Sequence, residues 1–321
     1  MKSKKNNTLS NEVRLKKSRI KKKLGLNNVI KIGIYFVLIC ISFVYLSPIL
    51  KMISASFMSS KDIIDPSVDW IPKNPSISNL LVAGKVLDLG KTLFNSIWFS
   101  TLIAVSQTIV SALTGFALSR FDFKFKRFWF VMILLAFILP VPLLMIPRLM
   151  IFISAQGLLG LKLIGTPIPQ ILMSISGQGV YSTVLILIFY NFFNLIPYSL
   201  DEAAMIDGAS PRQVFVQIAM KLSATTVLVV FLFSFVWNWN ETYITGTLVR
   251  NSIELLPAKL NVFDSAFKTY ADAGRGTVQF KINEAYKMAA TLVSITPLLI
   301  LYAFVQKRFI QGIENTGITG E

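Results

Sequence analysis

Long apolar runs with almost no charged residue constrain this chain more than any other feature of its sequence. Each is close to the roughly 20 residues that a helix needs to cross the hydrocarbon core of a bilayer. The runs cover residues 32–50, 96–118, 128–146, part of 165–200, 225–248 and 288–305. Charged residues make up only 15% of the 321, against about 25% in soluble domains. The sequence therefore predicts an all-α integral membrane protein with six transmembrane helices.

Three of these runs carry information beyond hydrophobicity. The second has small and hydroxyl-bearing side chains, which let membrane helices approach closely, so we expect it to face protein more than lipid. These side chains are Ser100, Thr101, Ser106, Gln107, Thr108, Ser111 and Thr114. The third run ends among Pro140, Pro142 and Pro147, which predict a kink because proline cannot donate a backbone hydrogen bond. Residues 165–200 exceed one span, so part of them should be a loop or short helix.

The distribution of Lys and Arg predicts the orientation. Basic residues crowd the first 31 positions, where Glu12 is the only acid, and recur between Arg120 and Arg127 and at Lys307 and Arg308. Because cytoplasmic loops are enriched in Lys and Arg, we expect all three clusters and both termini in the cytoplasm. A basic tail could also contact nucleic acid. Its position directly before an apolar run favours an anchor near anionic lipid, and the absence of an A-x-A-like site argues against a cleaved signal peptide.

Few residues could support enzymatic chemistry. The chain has no histidine, and Cys40 is its only cysteine, which removes the commonest general base and any thiolate metal site. Glu241 is the only acid clearly within a predicted span, whereas an intramembrane enzyme would need several convergent groups. Residues 84–92 resemble a phosphate-binding loop, but five residues separate the glycines where that loop has four. We expect no catalytic site, metal, bound cofactor or ATPase site of its own.

The connection between the fourth and fifth runs carries the signals of two short capped helices. Ser199 and Glu202 form the S-x-x-E pattern of a capping box. Gly208 is a natural helix stop because glycine accepts a left-handed conformation. Ser210 and Gln213 form a second box around a proline at the first helical position. An apolar stripe follows at Val214, Phe215, Ile218 and Leu222. The sequence predicts an elbow between two helices; the alternative is an ordinary amphipathic connector lying on the membrane.

This connection resembles the E-A-A-x-x-D-G-A-S signature of permease subunits in carbohydrate-group, maltose-permease-like ATP-binding-cassette (ABC) importers. The matching residues are Glu202, Ala203, Ala204, Asp207, Gly208, Ala209 and Ser210. Residues 117–121, 237–241 and 304–312 are similar to further motifs of that family. The resemblance covers about residues 30–312, which we expect to be the transmembrane domain. Residues 1–29 would then be a basic cytoplasmic tail and residues 313–321 a C-terminal cytoplasmic tail.

The resemblance implies a mechanism and a set of partners. The elbow would be a cytoplasmic coupling helix between spans four and five, inserted into a cleft of a separate ATPase. ATP hydrolysed by a dimer of that ATPase would drive the spans between inward-facing and outward-facing states. A second homologous permease subunit would complete the solute path, and an extracytoplasmic solute-binding protein would deliver the cargo. The chain would lie in a bacterial cell membrane and bind no nucleic acid.

Residues 237–241 are the candidate solute contacts. Trp237, Asn238, Trp239, Asn240 and Glu241 place indoles, amides and an acid in the outer half of the fifth run. Amides paired with aromatic faces suit a sugar, which has hydroxyl groups on its rim and C–H groups on its faces. The alternative is an aromatic belt at the membrane interface, with polar groups that pack between subunits.

The cargo is expected to be a sugar or oligosaccharide, on the resemblance alone. A polyol, a glycerol phosphate or another polar solute is the alternative within the same class of importer. A membrane scaffold without transport activity is the alternative of a different class. A scaffold, however, would not need proline-containing spans, polar helix faces and a cytoplasmic elbow.

Overall fold

The computed structural model describes residues 30–273 and 283–317. The predicted tail 1–29 and residues 318–321 of the other tail lie outside this part. Every regular element of the described part is a helix. Four helices are long and apolar enough to cross a membrane, and six candidate spans result if each of two bent helix pairs is counted as one. The all-helical membrane class is confirmed. The described residues up to Ser76 and those from Ile77 onward form two compact units.

The first unit consists of one long helix and a short connection. Helix α1 (Ile30–Ser56) exposes its apolar side chains, and no residue of its most hydrophobic 18-residue window is buried. Helix α2 (Ser60–Ile64) begins with a capping box between Ser59 and Asp62. The Asp62 carboxylate also accepts hydrogen bonds from the backbone and side-chain nitrogens of Asn74, at 2.9 and 3.2 Å. These local bonds fix the connection that follows α1.

The second unit is built around α4, an apolar helix of 32 residues. The helices of the unit are α3 (Ser78–Val86), α4 (Leu89–Arg120), α5 (Lys126–Ile138), α6 (Val141–Leu159), α7 (Ile168–Ile175), α8 (Ser182–Leu195), α9 (Tyr198–Ile206), α10 (Pro211–Leu222), α11 (Ala224–Asn240), α12 (Leu256–Asn261), α13 (Phe263–Ala273) and α14 (Glu284–Gly317). Helix α4 packs against α8 and α11. A Cβ on Gly115 would lie 2.7 Å from the Cβ of Phe189, so only glycine permits this approach of α4 to α8.

The polar face of α4 is turned into the protein. Half of its most hydrophobic window is buried, against 17% or less in the other three long helices. Ser100, Gln107, Thr108 and Ser111 are all buried. The prediction that the second span faces protein more than lipid is therefore confirmed.

The third predicted span, residues 128–146, is wrong in its boundaries. Helix α5 ends at Ile138, and a new helix, α6, runs from Val141 to Leu159 and is the candidate span. Leu139 is extended, with φ −68° and ψ 125°, because a residue before proline is kept out of the helical region. Pro142 then lies in the first turn of α6, where a missing N–H costs nothing. The prolines thus start a second helix, displaced towards the C-terminus.

The remaining predicted spans fall on helices with some changes at their ends. Within 165–200, the short helix α7 precedes α8, so the predicted extra element is present. The fifth run was predicted to reach residue 248, but α11 ends at Asn240 and Glu241 is extended. The sixth run lies inside α14, which includes Pro297.

Candidate functional site

The elbow between α9 and α10 has the geometry of a Schellman helix stop. Gly208 has φ +88°, as its sequence context predicted. Its N–H donates to the carbonyl of Met205 at 3.0 Å, and the N–H of Ala209 donates to that of Ala204 at 2.9 Å. These two bonds define the motif, and a contact between the residues at its ends often accompanies it. Ala204 and Ala209 both pack on the same apolar cluster, so two of the three alanines of the signature have a packing role.

The start of α9 differs from the prediction. The helix begins at Tyr198 after Pro197, and no side chain caps it. Ser199 is therefore inside the first turn, and the predicted capping box between Ser199 and Glu202 is wrong. The reason is that Pro197, with its fixed φ of −57°, places the helix start two residues before the predicted one. Glu202 is left exposed on the surface of α9.

Helix α10, the second half of the elbow, starts as predicted, but it is not a regular α-helix along its whole length. Ser210 and Gln213 make a capping box around Pro211. Residues Val214–Ala219 then form a π-helical turn, which widens the helix and rotates the following residues around it. Leu222 consequently leaves the predicted apolar stripe and is 50% exposed.

A buried ion pair fastens the elbow to α4. The Nε atom of Arg120, the last residue of α4, lies 2.7 Å from the Oδ2 atom of Asp201, and both side chains are more than 90% buried. Arg120 also donates to the carbonyl oxygen of Ile196 at 2.9 Å, and its guanidinium lies 5.8 Å from the ring centre of Tyr198. Sequence reasoning placed Arg120 in the basic cluster and in the 117–121 motif, and it did not pair Arg120 with Asp201. The pairing itself depends on how two helix ends meet.

The opposite face of α9 is exposed and partly apolar. Ile206 is 86% exposed and Leu200 45%, and Glu202 and Ala203 are exposed beside them. Helix α9 is bent by 71° from α8, and α10 by 79° from α11. The elbow therefore runs across the ends of α8 and α11, the two apolar helices that it joins. The exposed face of α9 is directed away from them.

Asn238 belongs to a buried polar network. Its Nδ2 atom donates to the Oε1 atom of Gln107 at 2.7 Å, and Ser234 donates to the same oxygen. The Nε2 atom of Gln107 donates to the carbonyl oxygen of Val180 at 3.0 Å and to the hydroxyl oxygen of Ser182 at 2.8 Å. Gln107 thus joins α4, α11 and the start of α8, with all its hydrogen-bonding capacity used. The side chain of Asn238 faces this interior.

Three of the other four residues of the 237–241 cluster line an open groove. Trp237, Asn240 and Glu241 border a cavity of about 440 Å³. The ring of Trp237 lies 4.9 Å from that of Tyr181, edge to face. Glu241 accepts backbone N–H bonds from three residues, Tyr243, Ile244 and Thr245, at 2.8–2.9 Å. Trp239 is instead buried in a separate apolar cluster.

A charged residue that sequence reasoning missed lies beside this groove. Arg148 is the eighth of the 19 residues of α6, and a charged side chain near the middle of a membrane helix costs about 2.5–3.5 kcal/mol on insertion scales. It lines a pocket of about 70 Å³ that shares Val141, Val180, Tyr181 and Ile244 with the groove. The sequence did contain a signal for this site, because Arg148 is a single charged residue within an apolar run. It was overlooked because the predicted third span ended at residue 146.

A larger cavity of about 690 Å³ lies where the chain leaves α11, lined by Arg250, Glu254, Lys259 and other residues. Burial acts to raise the pKa of the Glu254 carboxyl, but Lys259 and Lys91 outweigh it and hold that pKa below its usual value. Lys91 and Lys259 each lie 3.4 Å from this carboxylate. The connection after α11 is thus tied to the start of α4.

The comparison with protein families decides the class of this chain. Residues 107–315, which include the elbow, the Gln107 network and the groove, match the family described as "Binding-protein-dependent transport system inner membrane component". The chain belongs to this family. It is therefore an inner-membrane permease component of a binding-protein-dependent importer, and not an enzyme.

Individual members of the family resemble the chain over nearly its whole length. The arabinooligosaccharides transport system permease protein AraQ of Halalkalibacterium halodurans is 26% identical over 284 residues, which are 87% of this chain and 93% of that protein. The sn-glycerol-3-phosphate transport system permease protein UgpE of Agrobacterium fabrum is 29% identical over 276 residues, 84% and 90% of the two chains.

The fold of the family is also found in a solved structure. The crystal structure of a bacterial ABC transporter involved in the import of the acidic polysaccharide alginate contains a chain that matches this one with a TM-score of 0.66. The alignment covers 88% of this chain and 97% of that one, at 22% identity. At that identity the likeness concerns the fold of the permease.

Proposed function

We propose that this permease forms one half of the solute path of an ATP-driven importer whose cargo is a sugar or oligosaccharide. The observation that carries the proposal is the groove beside α11, whose wall includes the rings of Trp237 and Tyr181 and the amide of Asn240. A groove of about 440 Å³ is in the range of small-molecule sites. The similarity to an arabinooligosaccharide permease supports this cargo. The similarity to glycerol-3-phosphate permeases keeps a polyol phosphate as the second candidate.

The elbow is proposed to be the contact with the ATPase. A helix that exposes Ile206, Leu200 and Ala203 on one face needs a partner surface. The buried pair of Arg120 and Asp201 connects the other face to α4. A force on α9 would therefore act on α4, which packs against α8 and α11. The signature residues 202–204 and 207–210 would be the coupling site, with ATP bound and hydrolysed by the partner.

For this permease we propose a topology with six membrane spans and with both termini in the cytoplasm. The two bent helix pairs then each supply one span and one arm of the elbow. Residues 30–312 would form the transmembrane domain, with tails 1–29 and 313–321 inside. An ATPase dimer, a second homologous permease and an extracytoplasmic solute-binding protein would complete the importer.

Reconstitution of the complete importer in proteoliposomes tests the function. Uptake and ATP hydrolysis would be measured with a labelled arabino-oligosaccharide, a neutral monosaccharide and sn-glycerol-3-phosphate, each with the binding protein present and absent. We expect binding-protein-dependent uptake of at least one saccharide. Uptake of the glycerol phosphate alone would favour the second candidate. A chain that co-purifies with no ATPase and imports none of the three would support the scaffold alternative.

A further inference from the structure

The pocket of Arg148 differs in size and charge from the groove that it joins. Its volume of about 70 Å³ equals the space of roughly two water molecules. It can hold one chemical group of a solute, but not a sugar ring. Four shared residues make it continuous with the larger groove. A solute body in the groove could therefore extend one substituent to Arg148.

The pocket has a rigid polar wall. Arg148 lies 3.5 Å from the Oε1 atom of Gln178. The backbone that carries Gln178 is held by the two bonds from Gln107 to Val180 and Ser182. Gly179 lies so close to the side chain of Gln107 that a Cβ atom would collide with it. Tyr181 has φ +50°, a conformation that is uncommon for a bulky residue and that concentrates at ligand sites.

The charge of Arg148 is not matched by an acid in the described residues. None of their carboxylates forms an ion pair with it, and its recorded polar contact is the amide of Gln178. Glu241, the acid of the adjoining groove, directs its carboxylate at the backbone N–H groups of Tyr243, Ile244 and Thr245. The pocket thus has an excess of positive charge at the end of an aromatic groove whose acid, Glu241, is bonded to backbone N–H groups.

We propose that Arg148 binds an anionic group of the cargo, a carboxylate or a phosphate, while the sugar or polyol body lies against Trp237, Tyr181 and Asn240. The planar guanidinium can donate two parallel hydrogen bonds to either group, and Gln178 orients it. This inference rests on the proposed function and narrows its substrate class to acidic saccharides or polyol phosphates.

The test uses the complete importer in proteoliposomes with three solutes. They are a uronic-acid oligosaccharide, the neutral oligosaccharide of the same length, and a polyol phosphate. The variants are Arg148→Gln, which removes the charge, and Arg148→Lys, which keeps the charge but loses the planar fork. Lys162→Gln is the matched control, because it removes an exposed cation from the connection after α6. The KM and kcat of uptake are measured for each, with complex assembly checked by gel filtration.

We expect the wild type to prefer one of the acidic solutes. Arg148→Gln should raise the KM for that solute by about tenfold or more, which is the size of one charge-assisted hydrogen bond. Arg148→Lys should recover part of the loss, and Lys162→Gln should leave the KM unchanged. The preferred acidic solute distinguishes a carboxylate from a phosphate as the bound group.

Three results would overturn the inference. If neutral saccharides are imported and acidic ones are not, the proposed function stands and the assignment of Arg148 fails. If Arg148→Gln breaks up the complex and Arg148→Lys restores it with no change in solute preference, Arg148 pairs with an acid of another subunit. If no saccharide or polyol phosphate is imported at all, the proposed function fails together with the inference.

Discussion

At Gly208 the backbone has φ +88° and no atom lies within 4 Å of the position that a Cβ would take. A side chain there would meet conformational strain and no steric collision. The strain for a bulky L-residue is about 1–2 kcal/mol, which changes the population of the correct elbow by about 5–30-fold. The orientation of α10 relative to α9 therefore depends on this one residue.

We predict that Gly208→Val leaves the permease inserted but lowers solute uptake and weakens ATPase binding. Gly208→Asn is the matched control, since asparagine tolerates the left-handed region and should keep most of the activity. Uptake, solute-stimulated ATP hydrolysis and subunit stoichiometry in the reconstituted complex are the measurements. Wild-type uptake by Gly208→Val would falsify the assignment of the elbow as the transmission element.

Glu202 provides a test that is separate from folding. It is exposed and caps no helix, so its replacement should cost little stability. We predict that Glu202→Lys keeps the thermal stability of the permease and reduces its co-purification with the ATPase, whereas Glu202→Gln has a smaller effect. Equal ATPase binding by both variants and the wild type would remove Glu202 from the contact.

Asn238 and Asn240 are two residues apart but have different surroundings. Asn238 is bonded to the buried Gln107, whereas Asn240 is exposed and bonds only to the carbonyl oxygen of Val236 in its own helix. The place of Asn238 and Glu241 among the candidate solute contacts predicts that Asn238→Ala and Glu241→Gln impair uptake with assembly intact. The network adds the expectation that Asn238→Ala lowers stability.

We predict that Asn238→Ala destabilises the permease by about 1–3 kcal/mol, because Gln107 loses a buried partner. Asn240→Ala should keep the melting temperature and raise the KM for the solute. Thermal unfolding in detergent and uptake kinetics distinguish the two effects. A normal melting temperature for Asn238→Ala would show that the network contributes little to stability.

Among the helices, the contact between α4 and α9 couples a membrane span to the elbow. Arg120 and Asp201 are both buried, and a buried ion pair that loses one partner costs about 3–5 kcal/mol because the other charge is left unpaired. The elbow also packs on α4 through the rings of Phe116 and Phe215, whose centres are 5.0 Å apart, and the ion pair adds a polar link to this apolar contact.

We predict that Asp201→Ala lowers the melting temperature and reduces the number of solutes imported per ATP hydrolysed. Asp122→Asn is the control, because Asp122, only two residues beyond Arg120, is fully exposed and pairs with Lys126, and such surface pairs contribute about 0–1 kcal/mol. If both variants behave alike, the buried pair has no special part in transmission.

At the scale of the whole molecule, the orientation in the membrane follows from the positions of the charges. A reporter that is active only outside the cell, fused after Gln306 at the end of the last candidate span, should be inactive. The same reporter inserted after Asn261, between α12 and α13, should be active. Strong activity after Gln306 would contradict the topology of six spans with both termini inside.

The sequence by itself determined the membrane class, the protein-facing role of α4 and the elbow at Gly208. These features depend on residues that are close to one another in the chain. They are the length of an apolar run, the spacing of polar residues, and a glycine between two capping patterns. The capping box at Ser199 failed even so, because Pro197 competed for the same helix start.

Only the tertiary structure decided which polar groups meet. The rotation and depth of whole helices bring Arg120 to Asp201 and Gln107 to Asn238. They also place Arg148 in a pocket that is continuous with the groove. This rotation and depth are set by close approaches such as the one at Gly115, where the absence of a side chain brings α4 onto α8. Such contacts join residues far apart in the chain, and no local pattern encodes them.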